Sequence, residues 1–126
     1  MKEFPIYAVL PCSDAERARA WYLDKLAMSP DKEEFGSHWY ECAGGTWIIL
    51  TPSQYAGTAQ NTAAGWQVSG IETLMDKLRG NGVVFEDYDM PGFKTENGLF
   101  AMGPIKAAWF KDSEGNILEI SEVAGG

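Results

Sequence analysis

The chain has 126 residues, of which 45% are hydrophobic and 22% charged, so it can bury a core without disulfides or structural metal. Its formal net charge is −8, and a field of that sign repels phosphate backbones. These totals exclude a disordered chain and predict no nucleic-acid partner. The acidic excess favours either solubility alone or the attraction of a cationic small molecule.

The N-terminal segment and the cysteines indicate a cellular compartment. Met1–Leu10 has neither the long apolar core nor the cleavage site of a signal peptide. No run approaches the roughly 18 apolar residues that span a membrane. Cys12 and Cys42 lie in apolar strand patterns without paired spacing, which predicts reduced thiols. We therefore expect a soluble, cytoplasmic protein with no membrane partner.

The first half of the chain predicts a strand, a helix and three further strands. Ile6–Leu10 is a short apolar run, and Ser13 or Asp14 can cap a helix over Ala15–Leu26. Gly44-Gly45 supplies a hairpin turn between the last two strands. The three further strands are expected around Lys32–Phe35, His38–Cys42 and Thr46–Thr51.

The second half repeats this order. Gly65–Val68 is a predicted strand, and Ile71–Arg79 is a predicted helix with an apolar stripe. The remaining strands are expected at Val83–Glu86, Ala107–Phe110 and Ile117–Ser121. A loop is expected at Asp89–Gly98. The predicted domain is thus a pair of modules, with module one at 1–52, a linker at 53–62 and module two at 63–126.

The segment Trp109–Glu119 combines a tight turn, Asp112 to Asn116, with an apolar strand that carries one carboxylate, Glu119. Burying such a carboxylate is costly unless it is paired. This segment resembles the closing motif of the glyoxalase, bleomycin-resistance and extradiol-dioxygenase proteins, the vicinal oxygen chelate superfamily. Thr58–Gln60 and Val83–Thr95 are similar to one bacterial branch of it. The resemblance implies an α+β fold of two βαβββ modules, with a curled mixed sheet around a cleft, helices on the outer face, and a homodimer.

The resemblance also implies where metal ligands would stand, namely at the positions of Tyr7, Ile49, Ala63 and Glu119. Only Glu119 is kept. A catalytic metal usually needs about three ligands from His, Cys, Asp or Glu, and Ile49 and Ala63 carry no lone pairs. Tyr7 could ligate only as a phenolate, whose pKa is ordinarily near 10. We therefore expect no metal and no cofactor, and we interpret His38 as a strand residue rather than a ligand.

Strand alternation predicts which side chains share the cleft with Glu119. The opposite face, against the helices, is expected to hold Leu10, Ile48, Leu50, Trp66, Val68, Leu118 and Ile120. Trp109 and Phe110 must face opposite ways, in an order that alternation alone leaves open. Trp47 is either part of the core or a wall that stacks a planar or cationic ligand. The predicted ligand-binding residues are Tyr7, Trp39, Trp47, Ile49, Ala63, Gln67, Phe93, Trp109 and Glu119.

Two interpretations of Glu119 follow. It either accepts hydrogen bonds from Tyr7 or Gln67 as a relic of a metal site, or it anchors a ligand or acts as a base. The leading hypothesis is a metal-free small-molecule-binding protein of the bleomycin-resistance type that sequesters an aromatic or cationic compound. The alternative is a lyase, isomerase or dioxygenase of the same fold, with metal at another site or without cofactor through Tyr7 and Glu119. Loops bearing Tyr55, Met90, Phe93 and Met102 either cap the cleft, are solvated, or form a dimer contact.

Overall fold

The computed structural model describes residues 1–124 and begins with a strand–helix–three-strand unit. Asp14 caps the first helix by accepting a hydrogen bond from the backbone N–H of Arg17, and Ala27 ends it in the left-handed conformation. The four strands form the first sheet in the order β1-β4-β3-β2, with β1 and β4 parallel. The elements are β1 (Tyr7–Cys12), α1 (Ala15–Leu26), β2 (Lys32–Glu34), β3 (Ser37–Glu41) and β4 (Trp47–Pro52).

The second unit repeats this topology around an inserted hairpin. The second sheet has the order β5-β10-β9-β8, with β5 and β10 parallel, and β6 pairs only with β7. The two mixed sheets and two helices confirm the predicted α+β architecture. The elements are β5 (Thr62–Gln67), α2 (Ile71–Gly80), β6 (Asp89–Met90), β7 (Phe93–Lys94), β8 (Phe100–Met102), β9 (Ile105–Lys111) and β10 (Ile117–Val123).

The strand predicted at Val83–Glu86 is wrong. This segment is extended and alternates buried with exposed side chains, which mimics a strand, but it makes a single bridge from Phe85 to Phe110. The chain then leaves the sheet, forms the β6–β7 hairpin around Pro91-Gly92, and returns as β8 on the same edge of β9. The first of the three sheet strands that follow α2 therefore lies at Phe100–Met102, beyond the predicted loop.

The core lies between the sheets and their helices, on the face that alternation predicted. Leu10, Leu50 and Leu118 are buried there, together with Ile48 and Ile120. Trp66 and Val68 are half-buried and pack against the same core. Helix α1 contacts β3 and β4, and α2 contacts β10, so both helices lie opposite the face of Glu119. Neither helix in residues 1–124 is long and apolar enough to cross a membrane.

A buried carboxylate, Glu114, joins the two units. It lies in the β9–β10 turn and accepts hydrogen bonds from the backbone N–H groups of Ser13 (2.9 Å) and Asp14 (3.0 Å) at the start of α1. The Arg17 guanidinium donates to it as well, with Nε 2.9 Å from Oε2. Burial alone would raise the pKa of the Glu114 carboxyl, but hydrogen bonds from Arg17, Asp14, Ser113 and Ser13 outweigh it and lower the pKa to about 2.

Candidate functional site

On the first sheet, β1 and β4 present one face away from the helices. The register pairs Tyr7 with Trp47 and Val9 with Ile49, and Trp39 on β3 pairs with Ile49. Residues paired in this way lie on the same face. Tyr7 is 57% exposed, whereas Ile49 is only 5% exposed because neighbouring side chains cover it. Tyr7 and Trp47 are thus placed where a ligand could reach them, and Ile49 lies beneath.

The two tryptophans of this face already hold a cation. The Trp39 and Trp47 rings meet edge to face, with centroids 6.2 Å apart. Lys32 Nζ lies 4.5 Å from the Trp39 centroid and 5.5 Å from that of Trp47. Sequence reasoning missed Lys32, although its pairing with Trp39 across β2 and β3 follows from the hairpin register. A cationic ligand would have to displace this ammonium group before it could stack on the same rings.

On the second sheet, Glu119 stands between Gly65 of β5 and Trp109 of β9. Its carboxylate has no hydrogen-bond partner in residues 1–124, so the bonds from Tyr7 or Gln67 that one interpretation predicted are absent. A Cβ built on Gly65 would stand 3.6 Å from Glu119 Oε2 and 3.3 Å from the Glu119 carbonyl oxygen. The glycine therefore keeps space open beside a half-buried, unpaired carboxylate.

An aromatic cluster extends this face on the far side of Glu119. Trp109 shares the face of Glu119, while Phe110 is 1% exposed in the core, which resolves their order. Phe93, from the β6–β7 hairpin, stacks on Phe100 at 4.7 Å and meets Trp109 at 5.3 Å. Tyr88 meets Trp109 edge to face at 5.8 Å. The hairpin thus covers this part of the sheet with Phe93, while Met90, Met102 and Tyr55 are exposed.

A cavity of about 260 Å³ lies where β1 and β5 approach each other. It brings together three of the predicted ligand-binding residues, Tyr7, Trp47 and Ala63. Gly65 also lines it, so the Glu119 carboxylate stands at its edge. The other predicted residues are not in its wall. Sequence reasoning did not anticipate other members of the lining, such as Cys42, Thr46 and Trp66.

The residues of this site do not fit the metal that the superfamily resemblance implies. Ala63 lies at a bulge between β5 and β10, and Ile49 is buried under its neighbours. Neither carries a donor atom. Within residues 1–124, no three side chains of His, Cys, Asp or Glu stand close enough to share one ion. His38 is buried on the helix side of β3, paired in register with Leu50, and its Nδ1 lies 3.2 Å from Glu33 Oε1.

The acidic residues that follow Val83 have structural partners. Asp87 accepts hydrogen bonds from the Thr95 hydroxyl and the Gly98 backbone N–H, both at 2.8 Å. These bonds lower the pKa of its carboxyl. Glu86 lies 4.0 Å from Lys111 Nζ. We interpret this group as an organiser of the loop before β8 rather than as a cation site.

Comparison with known proteins supports the fold. No protein-family model and no curated protein sequence matches this chain. Among solved structures, the oxidase ChaP-H2 is 17% identical, with TM-score 0.72, covering 100% of this chain and 98% of that one. A glyoxalase/bleomycin resistance protein from Catenulispora acidiphila is 16% identical, with TM-score 0.70, covering 96% and 99%. The fosfomycin resistance protein FosX from Listeria monocytogenes, solved with Mn(II), is 12% identical, with TM-score 0.66, covering 97% and 90%.

Two βαβββ units with parallel first and last strands define a glyoxalase-like α+β fold. The chain has the fold of the vicinal oxygen chelate superfamily, which confirms the predicted resemblance at the level of the fold. At these identities the likeness extends to the fold and leaves the activity to be argued from this chain's own residues.

Proposed function

We propose that this protein binds a planar aromatic compound in its cleft without a metal ion, and sequesters it rather than turning it over. The observation that carries the proposal is the cavity between β1 and β5, where Tyr7 and Trp47 form an aromatic wall beside the unpaired Glu119 carboxylate. A pocket with apolar walls and few polar groups suits a small organic ligand. Ile49 and Ala63 have no side-chain atom that could bind a metal ion, which supports metal-independent binding.

The charges near the cavity narrow the chemistry of the ligand. Lys32 already lies over the Trp39 and Trp47 rings, which disfavours a cationic group stacked there. Glu119 can accept a hydrogen bond from a ligand and lacks a donor within residues 1–124. The two features together favour a neutral aromatic ring that carries a hydroxyl, amide or amine donor. The sequence predicted an aromatic or a cationic ligand, and these two features favour the aromatic one.

The proposal includes a homodimer located in the cytoplasm. The cavity of about 260 Å³ lies below the roughly 300–1,000 Å³ of typical ligand pockets, so a second copy would enlarge it. Val9, Met102 and Ile105 leave large apolar side chains exposed on strands of the two sheets. Cys12 and Cys42 are free thiols, which suits a reducing compartment. A role in antibiotic resistance is one form that sequestration would take.

A thermal-shift screen of neutral aromatic compounds and antibiotics tests this function. A compound at 100 times its dissociation constant should stabilise the protein by about 2.7 kcal/mol, which raises the melting temperature by several degrees. Glu119→Gln and Trp47→Leu should each weaken binding, whereas Glu16→Gln, an exposed substitution on α1, should not. Native mass spectrometry should recover the compound intact. A near-stoichiometric metal that is released by Glu119→Gln would overturn the proposal.

An enzyme is the second candidate, and one observation favours it. Tyr7 lines the cavity, and the Glu119 carboxylate lies next to Gly65 of the same lining, so a phenol and a carboxylate could both reach one bound molecule. This pair could move a proton in a lyase or isomerase without a cofactor. Incubation of each binding compound with stoichiometric protein, followed by mass spectrometry, separates the two functions. Loss of the compound with a new product that depends on both Tyr7 and Glu119 would favour the enzyme.

A further inference from the structure

A second cavity, of about 220 Å³, lies on the helix side of the second sheet. Leu26 and Met28, at the end of α1, form one rim, and Leu74 of α2 forms the other. Phe110 and Ile120 lie at its floor, at 1% and 3% exposure. The cavity therefore occupies the seam between the two units, opposite the face that carries Glu119.

We propose that this helix-side cavity is a second small-molecule site, for an uncharged apolar compound of one or two fused rings. None of its lining residues is ionisable, and Gln67 is the one polar residue among them. A charged ligand would lose its hydration there without a partner, whereas an apolar one gains burial. The site is independent of the function proposed for the cleft.

The size of the cavity supports this inference. Well-packed interiors leave few voids larger than a water molecule. An apolar cavity of about 150 Å³ stays dry and binds benzene in another protein. The helix-side cavity exceeds that volume and is open at its rim. Ala27 ends α1 in the left-handed conformation, and its neighbours Leu26 and Met28 lie at the rim of the cavity.

Trp66 separates the two cavities. It belongs to the lining of the cleft cavity and of the helix-side cavity alike. A ligand in either cavity therefore packs against this indole. Substitutions on the far side of the cleft, such as Glu119→Gln, leave the helix-side lining unchanged, which lets the two sites be examined separately.

Methionine-methyl NMR with indole as the probe tests the second site. The chain has five methionines. The Met28 methyl resonance should shift and saturate, while those of the exposed Met90 and Met102 should not move. Benzoate, a charged ring, should leave Met28 unchanged. Glu119→Gln should not alter the indole titration followed at Met28, which lines only the helix-side cavity, so failure of the cleft proposal would not affect this result.

Cavity-filling variants complete the test. Leu74→Phe should weaken indole binding at least tenfold, whereas Leu23→Phe, the same change at an exposed position of α1, should not. If Leu74→Phe does not fold, Val68→Phe fills the same cavity, with the exposed Val84→Phe as its control. The proposal is overturned if the Met28 shift does not saturate with indole, or if it persists in a variant whose cavity is filled. Sedimentation in which filling dissociates a dimer also overturns it, because a second copy would then occupy the cavity.

Discussion

Glu114 offers the sharpest test of how the two units are held together. Replacing it with glutamine keeps its shape but removes the charge that attracts Arg17 and the backbone N–H groups of Ser13 and Asp14, just before α1. The pKa of Glu114 falls from 4.5 to about 2 on folding. This difference of about 2.5 pH units corresponds to about 3 kcal/mol of stability.

The pH dependence has a definite sign. Because the folded pKa is depressed, the contribution of Glu114 is fully present above about pH 4.5 and is lost as the pH falls toward 2. At pH 7, Glu114→Gln should therefore lower the free energy of unfolding by about 3 kcal/mol, or the melting temperature by about 10 °C. Near pH 2, wild type and variant should be about equally stable.

Urea denaturation between pH 2 and pH 7, followed by circular dichroism, measures this effect. Glu72→Gln is the matched control, because Glu72 makes an ion pair of 2.7 Å with Lys106 at the surface. Exposed pairs contribute about 0–1 kcal/mol, so the control should stay close to wild type. If Glu114→Gln unfolds with the same free energy as wild type at pH 7, the bonds that Glu114 accepts from Ser13, Asp14 and Arg17 do not stabilise the fold, and the reasoning fails.

Three further substitutions have expected outcomes. Tyr22→Phe removes the buried bond of 2.7 Å from the Tyr22 hydroxyl to Asp112 Oδ2 and should cost about 1–3 kcal/mol in urea unfolding. Phe35→Asn should stabilise the β2–β3 hairpin by about 0.5–1 kcal/mol, since Phe35 is 99% exposed at φ 53° and asparagine tolerates this conformation better. Lys32→Met should free the Trp39 ring and strengthen binding of benzyltrimethylammonium, measured by tryptophan fluorescence.

Matched controls isolate each effect. Tyr55→Phe changes an exposed hydroxyl and should leave stability unchanged. Phe4→Asn replaces an exposed phenylalanine that does not have a positive φ, so it should not raise the free energy of unfolding. Lys77→Met removes a lysine of α2 and leaves the Lys32 ammonium group over the Trp39 ring. An equal response in variant and control would contradict the corresponding prediction.

The first unit could be predicted closely because its signals are local. Asp14 caps α1, and the apolar spacing that follows predicts Ala15–Leu26, the observed helix. In the second unit, the same reasoning wrongly predicted a strand at Val83–Glu86. There, buried and exposed side chains alternate because the segment packs against β9. It does not become a strand, because β8 pairs with that edge of β9. Local pattern reports burial better than it reports hydrogen-bond partners.

The site was predicted in part for a similar reason. Alternation placed Tyr7, Trp47 and Ala63 on one face, and they line one cavity. Lys32 was missed because a lysine on a short strand is ordinarily solvated, and only the register with Trp39 shows that it lies over the rings. Glu114 was missed because its partners lie about a hundred positions earlier in the chain. Contacts across that distance leave no periodic trace in the sequence.

Glu114 and Glu119 lie five residues apart on one hairpin, and the contrast between them bears on function. Glu114 is saturated with donors from α1 and from its own turn, which makes it a stabilising group. Glu119 has no donor in residues 1–124 and stands beside the space that Gly65 leaves open. The Glu119 oxygens are not among the fully buried atoms that lack a partner in residues 1–124, so they stay open to solvent and to a donor on a ligand. The fold supplies donors where the carboxylate has a structural role and leaves Glu119 open beside Gly65, which is the arrangement that the proposed ligand contact requires.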